Sequence, residues 1–329
     1  MVNTVVPFDR VQHLVRVPVE LAGDGHRFLM DTGIGVTVVS SAIAARPDVR
    51  PTGQVFGARR MSGQLVEAPL VRLPRLRLGA YTVDDHLACV ADLGETDGPA
   101  GFTGILGLGF LGDHAYTTDP AASTLTVHPA ADVPPGGVEI PLEIRRNGPS
   151  VDPFARLVLP SGREVLVEID TGSGSLILDT RFMADCGIEP GAPEVTTTTG
   201  TDETGYAWTR HWATIPGAVH LAAAPQTRQA APRVQFQRII HDGLLGAEYL
   251  DRYRYCVDPT GARLVLGPLA PPGQALRADG AEPAGQVVPP GGAARADEAG
   301  SAGQVAPAGQ VGPGAPAGPG DRPGGGRRR

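Results

Sequence analysis

The sequence predicts a mostly β protein, with few short helices, built from two copies of one unit. The tripeptide Asp-Thr-Gly occurs at Asp31 and again at Asp170, and each copy lies between two apolar runs. The offset between the aspartates, 170 − 31 = 139, aligns further anchors in the two halves. These are Gly23 with Gly162, Leu106-Gly107 with Leu245-Gly246, Tyr116 with Tyr255, Asp119-Pro120 with Asp258-Pro259, and Leu125 with Leu264. Matches at one offset without a net gap indicate an internal duplication of a domain-sized unit.

Hydrophobic alternation and turn residues predict the elements of the first copy. Strands over residues 15–21 and 27–30 flank a turn at Gly23-Asp24-Gly25 and form a hairpin. A short helix begins at Ser41, with Ser40 or Ser41 as its N-cap. Further strands are predicted over residues 65–73, 76–78 and 81–90.

The second copy is predicted to repeat this pattern. Strands are expected over residues 138–144, 154–159, 165–169 and 219–222. Asp179 is expected to cap a helix that starts near Thr180. The boundaries that follow are an N-terminal extension over 1–8, a first lobe over 9–131, a linker over 132–137, a second lobe over 138–269, and a tail over 270–329.

The tail has a composition of its own. It is rich in Ala, Gly, Pro, Gln and Val, it has no aromatic residue, and it repeats Ala-Gly-Gln-Val three times, from residues 284, 302 and 308. Such a segment buries too little apolar surface to offset the entropy lost on ordering. We therefore expect the tail to be disordered.

Composition excludes several classes of function. All 28 basic residues are arginine, so no lysine is present for Schiff-base chemistry or for a phosphate-binding loop. The net charge of −7 predicts no nucleic-acid partner. No apolar stretch is long enough to span a membrane, and no signal peptide is evident, so a cytoplasmic location is expected. The arginine bias indicates a bacterial, GC-rich genome.

Cysteine and histidine usage predicts neither disulfides nor a metal. The three cysteines form no CxxC pair and do not align at the repeat offset, so we expect buried free thiols. The eight histidines lack the spacing of metal ligands. No cofactor is expected.

The paired aspartates predict acid–base chemistry on water. Two carboxyl groups that lie close together cannot both ionise cheaply, so one keeps a proton. Gly33 and Gly172 permit each loop to turn tightly and approach its twin. Gly107 and Gly246 would let a second strand pass close beneath each loop.

These motifs resemble the aspartic peptidases, in particular their retropepsin-like branch found in bacteria. The resemblance rests on Asp-Thr-Gly after an apolar strand and on Ile105-Leu106-Gly107 and Leu244-Leu245-Gly246 downstream. It covers about residues 9–269. It implies two homologous pepsin-like β-barrel lobes with the active-site cleft between them. A single chain would then supply both aspartates, so a monomer suffices.

The same resemblance implies roles for individual residues. Asp31 and Asp170 become a catalytic dyad that activates water to hydrolyse peptide or protein substrates. Thr32 and Thr171 become interlocking residues of the two loops. β-Hairpin flaps are expected over residues 58–64 and 201–208. Their substrate-lining candidates are Met61, Ser62, Gly63, Gly205, Tyr206 and Trp208.

Two roles in these flaps stay open. Tyr206 and Trp208 either line the substrate channel or only pack the base of their hairpin. Arg59 and Arg60 either favour acidic substrates or are simply solvated, and solvation is the favoured interpretation.

The two loops differ at one position. Ser173 follows Gly172, but Ile34 follows Gly33. A serine hydroxyl can hydrogen-bond a carboxylate and favour its charged form, whereas isoleucine cannot. We therefore hypothesise that Asp170 is the more acidic member and that Asp31 holds the shared proton. The same departure leaves a second hypothesis, a weak or inactive peptide-binding scaffold that retains the fold.

Overall fold

The computed structural model describes residues 3–93, 101–129, 132–133, 136–201 and 206–268. The predicted tail over 270–329 and the flap residue Gly205 lie outside this part of the chain. Strands dominate the described residues, and the helices are single turns. The predicted mostly β class with few short helices is therefore confirmed.

Strands follow one another at short intervals along the chain. Residues 3–129 contain β1 (Thr4–Pro7), β2 (Asp9–Val11), β3 (Leu14–Leu21), β4 (Asp24–Met30), β5 (Thr37–Val39), β6 (Arg50–Arg59), β7 (Leu65–Leu78), β8 (Tyr81–Val90), β9 (Gly104–Leu106), β10 (His114–Asp119) and β11 (Thr124–Pro129). Residues 136–268 contain β12 (Val138–Pro141), β13 (Glu143–Asn147), β14 (Ser150–Val158), β15 (Glu164–Ile169), β16 (Leu176–Leu178), β17 (Thr196–Thr201), β18 (Ala207–Thr214), β19 (Ala218–Leu221), β20 (Ala224–Ala230), β21 (Arg233–Gln237), β22 (Gly243–Leu245), β23 (Arg254–Asp258) and β24 (Arg263–Gly267). The short helices are α1 (Ser41–Ala44) and α2 (Ala247–Leu250), with 3₁₀ turns at Leu108–Leu111, Thr180–Phe182 and Ala184–Cys186.

Three sheets organise these strands. The first half forms a sheet in the order β2-β3-β4-β9-β5-β8-β7-β6, and the second half forms the path β17-β18-β21-β16-β22-β15-β14-β19-β20 with β13 beside β14. A third sheet has the order β1-β11-β10-β23-β24-β12 and so takes strands from both halves. At its centre β10 and β23 pair antiparallel, with Tyr116 opposite Val257. The two halves are thus joined by backbone hydrogen bonds.

The predicted domain boundaries stay a prediction. Residues 4–7, which the repeat assigns to an N-terminal extension, form β1 and pair with β11 in the joining sheet. The chain therefore begins its ordered packing before the first repeat does.

The strands around the two aspartates have the same register in each half. β4 pairs in parallel with β9, with Met30 opposite Leu106, and β9 pairs antiparallel with β5. β15 pairs in parallel with β22, with Ile169 opposite Leu245, and β22 pairs antiparallel with β16. Ile169 lies 139 positions after Met30 (169 − 30), and Leu245 lies 139 positions after Leu106 (245 − 106). The chain therefore leaves β4, forms the Asp31 loop and continues into β5, with β9 paired between these two strands. In the same way it leaves β15, forms the Asp170 loop and continues into β16, with β22 between them.

The core is aliphatic, as the sparse aromatic content predicts. Val, Leu and Ile supply most of a buried cluster that runs through both halves, with a few fully buried rings such as Tyr116, Phe236 and Tyr255. The three cysteines are buried and free, as predicted. Among the described residues, no helix has the length and apolar character needed to cross a membrane.

The predicted helix caps are present. Ser40 is the N-cap of α1, and its Oγ accepts a hydrogen bond from Ile43 N at 3.4 Å. Asp179 caps the 3₁₀ turn at Thr180–Phe182, and its Oδ1 accepts from Arg181 N at 3.0 Å.

Two strand predictions differ from the structure. The strands predicted over 65–73 and 76–78 are one strand, β7, because its ladder with β8 keeps the same register on both sides of Pro74. Pro74 itself has no N–H to donate. The single strand predicted over 138–144 is divided at Leu142, where the chain leaves the joining sheet for the second-half sheet. Leu142 N there donates to Ala262 O at 2.8 Å.

We expect Val257→Ala to lower the free energy of unfolding by about 2–3 kcal/mol, because it removes two buried methyl groups and leaves a cavity. Val257 is 0% exposed in the joining sheet. Val5 lies in the same sheet but is 55% exposed, so Val5→Ala is the matched control, with a change below about 0.5 kcal/mol. Denaturant unfolding measures both. Equal changes would contradict the central position of β23.

Candidate active site

Asp31 and Asp170 each lie directly after a buried strand. β4 ends at Met30 and β15 ends at Ile169. Asp31 N donates to Leu106 O and Asp170 N donates to Leu245 O, both at 3.1 Å. The parallel neighbour strand thus fixes the first residue of each loop. The two aspartates are only 4% and 3% exposed.

Thr32 and Thr171 interlock the two loops, as the resemblance implies. Thr32 N donates to Thr171 Oγ1 and Thr171 N donates to Thr32 Oγ1, both at 3.0 Å. Thr32 Oγ1 also donates to Ile169 O at 2.6 Å, and Thr171 Oγ1 donates to Met30 O at 3.3 Å. Each hydroxyl therefore satisfies one backbone donor and one backbone acceptor of the other half.

The glycines of the two loops pack reciprocally against the carboxyl groups. A Cβ atom on Gly33 would overlap the Asp170 carboxylate, and one on Gly172 would overlap the Asp31 carboxylate. Gly172 N also donates to Asp31 Oδ1 at 3.1 Å. Glycine at both positions is thus what lets the two carboxyl groups come together.

The downstream glycines allow a second close approach. A Cβ atom on Gly107 would lie 2.5 Å from Ile34 O, and one on Gly246 would lie 2.5 Å from Ser173 O. Both contacts are with backbone, which has little room to move. These glycines therefore let the segments after β9 and β22 pass directly against the aspartate loops, as predicted.

The two carboxyl groups receive different hydrogen bonds. Asp31 Oδ1 accepts from Gly33 N at 2.9 Å and from Gly172 N. Asp170 Oδ1 accepts from Gly172 N at 2.9 Å and from Ser173 N at 3.2 Å, and its Oδ2 accepts from Ser173 Oγ at 2.5 Å. Ile34 instead packs into an apolar cluster with Leu29 and other aliphatic side chains.

Electrostatics reinforce this difference. Burial and the charge of Asp170 hold the pKa of Asp31 well above its ordinary value. Burial also raises the pKa of Asp170, but the hydrogen bonds from Ser173 and Gly172 oppose the rise. The two carboxyl groups titrate as one coupled pair. This geometry favours the shared proton on Asp31 and the negative charge on Asp170.

The first flap is a hairpin of β6 and β7 that touches the second half. Its turn is closed by a hydrogen bond from Arg60 N to Gln64 O at 2.9 Å, and Gly63 takes a φ of +87°. Ile240 N donates to Met61 O at 2.9 Å, which holds the flap tip down on the second half. Met61 and Ser62 therefore line the cleft beside the Asp170 loop.

Tyr206 and Trp208 also line this cavity, which has a volume of about 300 Å³. Trp208 also rests across its hairpin on Gly200, where any side chain would overlap the indole ring. Trp208 therefore has both of the roles considered for it: it packs against its own hairpin, and it lines the cleft.

Sequence reasoning missed several side chains of this cavity. Arg210 and Trp212 line it on β18, and Arg233, Gln235 and Gln237 line it on β21. Strict alternation from Trp208 through Trp212 is the signal that could have found the first two.

Sequence reasoning also missed two groups beside the glycines that follow each loop. His13 and Asp152 are 139 positions apart (152 − 13). His13 packs against Gly174, and its Nε2 lies 2.9 Å from Gly172 O. Asp152 packs against Gly35, and both of its oxygens accept from Ser150 Oγ at 3.1 Å. The repeat offset could have identified this pair.

A larger cavity, of about 730 Å³, lies beside β1 and β3 and is lined by Val6, Val19 and His26. No residue of either aspartate loop lines it, whereas Gly172, Ser173 and Gly174 line the smaller cavity, so we assign the chemistry to the smaller one.

We expect Thr32→Val to destabilise the protein by about 2–5 kcal/mol, because it leaves the Thr171 N–H and the Ile169 carbonyl buried without partners. Thr32→Ser keeps the hydroxyl and should cost less than about 1 kcal/mol. Denaturant midpoints at equal slope compare the two. Similar midpoints would show that the interlock contributes little.

We expect a carboxyl NMR titration to show the first proton leaving Asp170. Ser173→Ala should raise this first apparent pKa by about one pH unit, because it removes a donor to the charged form. Ser161→Ala, at an exposed turn, serves as the control. Loss of the first proton from Asp31 would refute the assigned asymmetry.

Comparison with known proteins supports this interpretation of the fold. The family model described as aspartyl protease matches residues 17–110, which run from β3 through the Asp31 loop and Gly107. No curated protein matches the sequence. Among solved structures, basic 7S globulin from soybean is similar over 80% of this chain and 94% of its own, with a TM-score of 0.50 and 14% identity. That identity supports a common fold alone. The chain therefore combines an aspartyl protease family match in its first half with a pepsin-like fold over both halves.

Proposed function

We propose that this protein is an aspartic endopeptidase that hydrolyses peptide bonds with a water molecule activated between Asp31 and Asp170. The observation that carries the proposal is the reciprocal packing of each loop's glycine beneath the other loop's carboxyl group. This packing brings together two buried carboxyl groups whose environments differ, which is the arrangement that separates an acid from a base.

The first step is attack of water on the peptide carbonyl. Asp170 is the ionised member, because Ser173 stabilises its charge, and it accepts a proton as the water oxygen bonds to the carbonyl carbon. Asp31 donates its proton to the carbonyl oxygen. The product of this step is a gem-diol, and the dyad retains one proton.

The second step breaks the carbon–nitrogen bond. The proton held by Asp170 passes to the amide nitrogen, which leaves as an amine, and a gem-diol hydroxyl returns a proton to Asp31 as the carboxylic acid product forms. The dyad ends in its starting protonation state. No covalent intermediate with the protein forms, because water itself is the nucleophile.

The surroundings of the dyad suit a peptide substrate. The flap tip at Met61 lines the cleft and is held to the second half by Ile240, where it would limit water near a bound peptide. Both aspartates come from one chain, so one copy of the protein forms a complete dyad. Opening of the Met61–Ile240 contact would admit the substrate.

A second candidate is a peptide-binding scaffold with weak or no turnover. Ile34 favours it, since its side chain packs into an apolar cluster and gives Asp31 no counterpart of the Ser173 hydroxyl bond. The cleft and flap would then serve recognition only.

We expect the full-length protein to cleave members of a peptide library between about pH 4 and 7. Asp31→Asn and Asp170→Asn should each lower the rate by about 10³-fold or more, because each removes one proton carrier. A statine-type inhibitor should block the wild-type activity.

Asp84→Asn, on the exposed surface, is the matched control and should retain full activity. Absence of cleavage together with retained peptide binding in wild type and variants would reject the peptidase and favour the scaffold.

A further inference from the structure

The wall of the cleft beside Asp170 is one face of a two-stranded ladder. Arg210 on β18 lies opposite Gln237 on β21, and Trp212 lies opposite Gln235. Alternate residues of a strand share a face. Trp208, Arg210 and Trp212 therefore form one row, and Arg233, Gln235 and Gln237 form the next row on the same face.

The described residues that line this cavity carry a net positive charge. Three arginines, Arg60, Arg210 and Arg233, line the cavity. Among the described residues that line it, Glu248 is the single acidic side chain, and it is exposed. The cavity is therefore basic on the Asp170 side of the dyad.

The arginines of the ladder are held in place by aromatic rings. The Arg210 guanidinium lies 4.1 Å from the ring centre of Trp208, and its Nε donates to Gln237 Oε1 at 3.1 Å. The Arg233 guanidinium lies 4.8 Å from the ring centre of Trp212. Stacking of this kind orients the planar guanidinium and lowers the entropy lost when it binds an anion.

Arg210 is half-buried in this wall, and burial lowers the pKa of its guanidinium. A substrate carboxylate would form a charge-assisted hydrogen bond with it. Gln235 Nε2 donates to Gln237 Oε1 at 3.0 Å, which fixes the two amides relative to each other.

We propose that this wall, through Arg210 and Arg233, selects substrates with an acidic side chain in the position that lies on the Asp170 side of the scissile bond. The inference rests on the proposed peptidase function for its catalytic readout. A glutamate or aspartate of the substrate would form charge-assisted hydrogen bonds with the guanidinium groups, while the indole rings contact its methylene carbons.

The test measures kcat/KM of the full-length protein on a matched peptide set. At each position near the scissile bond, Glu, Gln and Lys are compared in an otherwise constant peptide. We expect one position at which Glu exceeds Gln by about 10-fold or more, because a charge-assisted bond replaces a neutral one. Lys at that position should be the poorest substrate.

Substitutions assign the preference to the wall. Arg210→Gln should reduce the Glu over Gln ratio toward 1 by raising KM for the Glu peptide. Arg233→Glu, at an exposed site, should shift the preference toward Lys. Arg228→Gln is the matched control, since Arg228 is exposed on β20 and does not line the cavity, and it should keep the wild-type ratio.

A binding arm separates this inference from the proposed function. The same peptides, labelled for fluorescence anisotropy, are titrated with the Asp31→Asn protein. Cleavage without any preference for Glu would overturn the inference and leave the peptidase intact. Selective binding of Glu peptides without cleavage by wild type would overturn the peptidase and support the inference. A preference unchanged in both Arg210→Gln and Arg233→Glu would overturn the assignment to this wall.

Discussion

The reciprocal hydrogen bonds between Thr32 and Thr171 are the constraint on which the candidate site depends. Each hydroxyl accepts from the other loop's N–H and donates to a backbone carbonyl of the other half. Separation of the loops would leave these buried polar groups without hydrogen-bond partners. The free-energy cost of that loss is larger than the net stabilisation that each bond contributes. The hydrogen bonds fix the distance between the two loops. At that distance Gly33 and Gly172, which have no side chain, each leave the space that the opposite carboxyl group occupies. The joining sheet holds the same two halves together along β10 and β23.

A nearly symmetric backbone here carries side chains that are not symmetric. Ser173 bonds to Asp170, whereas Ile34 joins an apolar cluster. Two residues before each aspartate, Leu29 is part of that cluster, while Glu168 is buried beside His241 with Oε2 and Nε2 3.6 Å apart. Burial raises the pKa of Glu168 well above its ordinary value and lowers that of His241 to about 4, so burial opposes the charged form of both groups. The second half thus surrounds its aspartate with polar groups, and the first half surrounds its own with aliphatic ones.

The two halves also divide the work of holding a ligand. The flap at Met61 comes from the first half and is held down by Ile240 of the second. The aromatic and basic wall comes from β18 and β21 of the second half. A peptide in the cleft would therefore contact both halves, and the threonine interlock would keep its two walls at a constant separation.

The mostly β class, the two aspartate loops, their glycine partners and the helix caps at Ser40 and Asp179 could all be predicted from the amino-acid sequence. These features depend on local rules: turn and cap residues act within a few positions, and the repeat offset transfers each assignment to the other half. Only the tertiary structure shows that Leu142 marks a change of sheet and that Arg233, Gln235 and Gln237 line the cleft. Those outcomes depend on pairing between strands far apart in the chain, such as β10 with β23 and β16 with β21. Hydrophobic alternation predicts that a strand has two faces, but only the partner strands decide which face meets the cleft.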